Sequence, residues 1–186
     1  MVLGTRNNKK SYSELRKIYF FTATIHQWKW LLEPAVNKKL VVDYLGELSK
    51  KELIKIYAFV LMPNHVHIIW QQRNKNGKET AQGSFLKYTA HEFLKKIKIN
   101  GMSKQYEVVA ANKKHEIWQR DSLSVEIYSR AVARQKLEYI HFNPVNGMWK
   151  LSKDDLDYYY SSARFYETGV DDFGFLHNLY EEFDGD

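Results

Sequence analysis

Residues 54–72 read IKIYAFVLMPNHVHIIWQQ, two apolar runs of strand length parted by Pro63-Asn64. Proline presets the first dihedral of a turn and asparagine tolerates the tight position after it, so the pair predicts a β-hairpin. Side chains alternate faces along a strand, and here both alternating sets are largely apolar. Such a hairpin must be covered on both sides, which excludes an open sheet with one wet face. Into this setting the chain places His65 and His67, one residue apart and therefore on the same face, while Val66 points the opposite way.

The rest of the chain supplies the cover. IYFFTATIHQWKW (18–30) alternates through Tyr19, Phe21, Ala23 and Ile25 and reads as another strand. Pro34 opens a predicted helix over 34–50, with Leu40, Val41, Tyr44, Leu45 and Leu48 as its apolar stripe. Polar residues 73–83 read as a loop, and Ser84 as the cap of a helix reaching about Lys98 with Phe85, Thr89 and Phe93 on one face. Residues 99–114 read as a basic loop, followed by a strand or two in HEIWQRD and SLSVEIYS. A third helix spans 129–143, with Ala133, Leu137 and Ile140 at core spacing, and Pro144 stops it. The expected class is α+β: a mainly antiparallel β-sheet with helices packed against it.

With 186 residues and no Gly/Ser/Pro-rich linker, one domain is expected over 17–170, preceded by a polar segment (1–16) and followed by an acidic, aromatic tail (171–186). No apolar run is long enough to span a bilayer, and the polar N-terminus lacks a signal-peptide core, so a cytoplasmic location is expected. The chain has no cysteine, which excludes disulfides, thiolate metal sites and cysteine nucleophiles. Asp171, Asp172, Glu181, Glu182, Asp184 and Asp186 stand in the tail without any Lys or Arg. Residues 1–170 therefore carry +12 against +6 for the whole chain. A body this basic, with thirteen tyrosines and five tryptophans among its cations, suits a polyanion with unpaired bases. The tail could dock on that body and compete with such a partner, or pack as a stabilising C-terminal element.

Two same-face histidines can be unrelated polar residues at a wet strand edge, or two ligands of one divalent ion that needs a third from elsewhere. The apolar setting favours the second reading, because buried imidazoles in contact need partners or a cation between them. Other metal or phosphate motifs are absent: His91-Glu92 is followed by Lys95 rather than a second histidine, and no glycine-rich phosphate loop or GxSxG occurs. On the third helix Tyr139 and Asn143 are four apart and share a face. Alone, they could be a half-buried aromatic and a helix cap.

Together, MPNHVH (62–67), IWQRD (117–121), YIHFNPV (139–145) and YYYSSARFY (158–166) resemble the single-tyrosine HUH transposases, in particular the REP-associated tyrosine transposases and their insertion-sequence cousins. The resemblance covers about residues 18–166. It implies a ferredoxin-like, RRM-like HUH nuclease fold. It implies Mg2+ or Mn2+ held by His65, His67 and Asn143, with Tyr139 as nucleophile. The implied reaction cleaves and rejoins single-stranded DNA bearing hairpin or palindromic ends through a 5′-phosphotyrosine, by a monomer or a homodimer. Tyr128, Tyr158, Tyr159 and Tyr160 are fallback nucleophiles. Lys87, Lys95, Lys96, Lys113, Lys114 and Arg120 are candidate DNA contacts. A binding protein that has lost cleavage and a hydrolase using bound water are the competing readings.

Overall fold

The computed structural model describes residues 13–111 and 113–184; expectations for residues 1–12, and for Asp186 in the tail, lie outside this range. The chain runs β1 (Ile18–Thr24), α1 (Ala35–Lys50), β2 (Ile54–Leu61), β3 (His65–Gln72), α2 (Ala81–Ile99), β4 (Glu107–Ala110), β5 (Lys113–His115), β6 (Leu123–Glu126), α3 (Arg130–Phe142) and α4 (Ala163–Thr168). Four strands form an antiparallel sheet in the order β2-β3-β1-β6. With α1 and α2 in their connections, these strands make the βαββαβ path of a ferredoxin-like fold. The α+β expectation is met. Among the described residues no helix is long and apolar enough to cross a membrane.

The alternation in the strands sorts two cores onto the two faces of the sheet. Phe21, Ile56, Phe59, Val66, Ile68 and Trp70 point to one side, where α1 contributes Val41, Leu45 and Leu48 and α2 contributes Phe85, Phe93 and Ile97. Ile18, Phe20, Ala58, Val60 and Ile69 point to the other, under Ala133, Leu137 and Ile140 of α3. A register shift between Ile56 and Ala58 lets the neighbours Tyr57 and Ala58 face the same core. Each large side chain buried here contributes about 1.5–3 kcal/mol.

Several boundaries differ from the sequence reading. β1 ends at Thr24, not near 30, because Gln27 and Trp28 turn through left-handed backbone at φ 55° and 57°. Helix α2 begins at Ala81, where Thr80 Oγ1 accepts from Gly83 N at 3.0 Å; Ser84 is inside the helix rather than its cap. The stretch read as a basic loop holds a small antiparallel pair, β4 and β5. Helix α3, expected over 129–143, spans Arg130–Phe142, with Ser129 as its cap accepting from Val132 N.

Residues 171–184 pack against the domain. Phe175, Leu176 and Leu179 are buried, His177 N donates to Ile56 O at 2.9 Å, and Lys55 pairs with Glu182 on the β2 edge. The segment thereby covers an outer strand whose backbone groups would otherwise be unpaired.

Candidate active site

The β2–β3 turn sets the geometry from the bottom up. Met62 N donates to His65 O at 2.9 Å, closing the Pro63-Asn64 turn and starting β3 at His65. His65 and His67 then share a face, with ring centroids 4.7 Å apart. Both are buried. Asn64 Oδ1 lies 2.6 Å from His65 Nδ1 and can only accept, so it fixes the proton on Nδ1 and leaves Nε2 as the lone-pair nitrogen. Thr22, opposite His67 on β1, holds His67 Nδ1 at 2.7 Å. His67 Nε2 is buried without a hydrogen-bond partner.

Burial pushes His65 down to about 4, partly opposed by the Asn143 carboxamide beside it. His67 is held well below the ordinary imidazole value by burial, then by His65 and Lys136. Both rings are therefore neutral near pH 7, the form that donates lone pairs.

Helix α3 closes the site from above. Ala133, Leu137 and Ile140 face the core, while Lys136, Tyr139 and Asn143 form the adjacent stripe at three- and four-residue spacing. The exposed Tyr139 ring meets His67 edge-on at 5.1 Å and Phe20 at 5.8 Å, within one chain. Phe20 stacks on His67 at 5.2 Å and carries Lys136 Nζ 4.9 Å above its face. These groups line a cavity of about 800 Å3, walled also by Trp28, Trp30, Met148 and Trp149. Lys136 is the single charged residue among those lining it.

The histidine pair, Tyr139 and Asn143, distant in the chain, thus meet in one cavity. The six candidate DNA cations do not line it. Lys87, Lys95 and Lys96 lie on α2, across the sheet. Lys87 pairs with Glu79 at 2.6 Å, Lys95 with Glu92 at 2.7 Å, and Lys96 donates to Asn37 Oδ1 at 3.1 Å. Lys113 and Arg120 both pair with Glu116, and Lys114 with Glu107. Tyr128, Tyr158, Tyr159 and Tyr160 are also absent from the lining, and Tyr158 instead donates to Leu61 O at 2.6 Å. Sequence reasoning missed Lys136, Asn64, Thr22 and the three tryptophans. The signal for Lys136 was its place three residues before Tyr139.

Among the described residues no three His, Asp or Glu side chains converge. The residues in this cavity that could hold a cation are the two imidazoles, through nitrogen, and Asn143, through its carboxamide oxygen. The orphaned His67 Nε2 and the Nδ1 bonds that aim both rings fit such an ion. A set without carboxylates leaves the ion's charge available to an anionic substrate, and its nitrogens suit Mn2+ better than Mg2+.

No family model matches the chain, and no curated protein matches it. Among solved structures, a REP-associated tyrosine transposase bound to a REP hairpin is similar over 96% of this chain and 93% of its own, with 20% identity and a TM-score of 0.57. At that identity the likeness is one of fold, and it spans nearly the whole length of both chains.

Proposed function

We propose that the chain is a single-tyrosine HUH transposase that cleaves and rejoins single-stranded DNA carrying hairpin ends. The observation that carries the reading is the meeting of His65, His67, Asn143 and Tyr139 in a cavity with no carboxylate among its lining residues. A hydrolase using bound water would have no need of an exposed phenol at the histidine pair, and a pure binding module would have no need of the pair. The full-length fold likeness to a hairpin-bound tyrosine transposase supports the same class of partner.

His65, His67 and Asn143 would hold a divalent cation, Mn2+ or Mg2+, whose chemistry is to draw charge from a non-bridging phosphate oxygen. Tyr139 Oη attacks the phosphorus; the Oη–P bond forms and the P–O3′ bond breaks. The phenol proton goes to solvent, and the departing 3′-oxygen takes one from water. The products are a 5′-phosphotyrosine and a free 3′-OH, so the strand can be rejoined without another energy source. Lys136 puts positive charge where the pentavalent phosphorus gathers negative charge. Neutral, aimed histidines keep the phosphate and the phenol in register.

The test uses single-stranded oligonucleotides drawn from palindromes flanking the gene. The unaltered chain is expected to cleave one in Mn2+ or Mg2+, to stop in EDTA, and to leave protein linked to the 5′ end. Tyr139→Phe should bind the same hairpin and not cut it. Binding without cleavage by the unaltered chain would instead favour the non-cutting alternative. Cleavage by Tyr139→Phe would remove the nucleophile assignment.

A further inference from the structure

Trp28 and Trp30 leave 58% and 56% of their surface in solvent at the mouth of the cavity, where burial would have stabilised the fold more. The turn that presents them is costly. Gln27 and Trp28 take consecutive left-handed conformations without glycine, a strain that persists only when neighbours impose it. The β2–β3 turn imposes it: Ile25 N donates to Asn64 O at 2.8 Å, Leu32 N to Pro63 O at 2.9 Å, and Asn64 Nδ2 to Trp28 O at 3.1 Å. One carboxamide thus aims His65 through its oxygen and holds the tryptophan turn through its nitrogen.

Trp149 comes from the opposite side, on the chain beyond α3. The rings form a row: Trp28 to His65 at 6.3 Å, His65 to Trp149 at 5.6 Å, Trp149 to Trp30 at 6.0 Å. A strand whose phosphate sits at the histidines has this row beside it, within reach of its adjoining bases. Trp30 is also a wall of a second groove of about 660 Å3, whose charged lining is Lys29, Lys96 and one carboxylate, Glu33. The segment from Phe93 to Tyr106 beside it carries four lysines and no carboxylate.

We propose that Trp28, Trp30 and Trp149 are a stacking platform for the unpaired bases next to the scissile phosphate, and that the strand continues past Trp30 into the Lys29–Lys96 groove. The inference rests on the single-stranded DNA reading above. Stacking accepts any base, so the platform supplies affinity and alignment rather than sequence choice.

The test compares the full chain's affinity for an oligothymidylate of about 12 nucleotides with that for an abasic strand of equal phosphate number, by fluorescence anisotropy at fixed salt. The unaltered chain should prefer the strand with bases by about 100-fold, and Trp28→Ala or Trp30→Ala should each cut that preference about tenfold. Trp30→Phe should keep most of it, and Lys29→Gln should weaken both strands alike. Equal binding of the two strands by the unaltered chain, or a preference unchanged in both alanine variants, overturns the platform and leaves the DNA reading standing. If the unaltered chain binds neither strand, the DNA reading falls and the platform with it.

Discussion

The two faces of the sheet are built to different ends. Under α1 and α2, Phe21, Trp70 and Phe85 close on one another and Phe93 meets Trp118; Trp118 Nε1 donates to Thr89 Oγ1 at 2.9 Å, and Trp70 Nε1 is the polar atom this packing leaves without a partner. Under α3 the same strands offer equally apolar residues at one end and two imidazoles at the other, one with an orphaned nitrogen. A sheet covered completely on one side can leave part of its second side open. Stability is concentrated on the first face, and the second is free to hold polar groups in an arrangement that packing alone would not favour.

The largest effects should separate the faces. Tyr139→Phe should slow DNA cleavage by at least about 1,000-fold while moving stability by less than about 0.5 kcal/mol, since the hydroxyl is on an exposed ring. Trp70→Ala should cost about 3–5 kcal/mol in urea unfolding, because Trp70 is fully buried between Phe21 and Phe85. If Tyr139→Phe unfolds the chain, the division between the faces fails. Since Tyr139 meets His67 within one chain, mixing Tyr139→Phe with His67→Ala should restore no cleavage. Recovered cleavage would mean that partners exchange α3.

Acid probes the α3 side. His141 is buried against Ser162 Oγ at 3.0 Å, and burial pushes it down to about 4 from 6.5. Between those values the unfolded chain binds the proton and the folded chain does not, so stability falls as pH drops. The His141 share of that loss should reach about 3 kcal/mol by pH ~4, and His141→Gln should make thermal melts less steep in pH over that window, with His65 and His67 supplying the dependence that remains.

A smaller effect tests the hinge between histidine and tryptophan. Asn64→Ala should weaken Mn2+ binding about 10–100-fold by freeing His65, whereas Asn64→Asp keeps an acceptor for Nδ1 and should recover most of it. Smallest of all, Lys87→Gln and Lys95→Gln should each change stability by less than about 1 kcal/mol, because their pairs with Glu79 and Glu92 are exposed.

What could be read from the sequence divides along physical lines. The hairpin, the shared face of His65 and His67, and the Tyr139–Asn143 stripe follow from period-2 and period-3.6 geometry, which needs no tertiary knowledge. The tryptophan turn was hidden because its left-handed residues defy local preference and are held by bonds from Pro63 and Asn64, far along the chain. The β4–β5 pair was hidden because its residues are mostly polar and lack clear alternation. Of the six cations chosen for density, Lys87 and Lys95 stand on α2 across the sheet from the cavity, Lys113 and Lys114 are on β5, Arg120 is in the loop after it, and Lys96 lines the second groove beside Trp30. Lys136, a single cation in a stripe with Tyr139, was less conspicuous and better placed.

On the proposed reaction, Tyr139 becomes covalently attached to DNA at the histidine pair. Peptide mass mapping after reaction with a cleavable single-stranded oligonucleotide and Mn2+ tests it most directly. A nucleotide 5′-phosphate is expected on Tyr139 and none in His67→Ala. A cut strand with a free 5′-phosphate and unmodified protein, or an adduct on Tyr128 or Tyr159 instead, would contradict it.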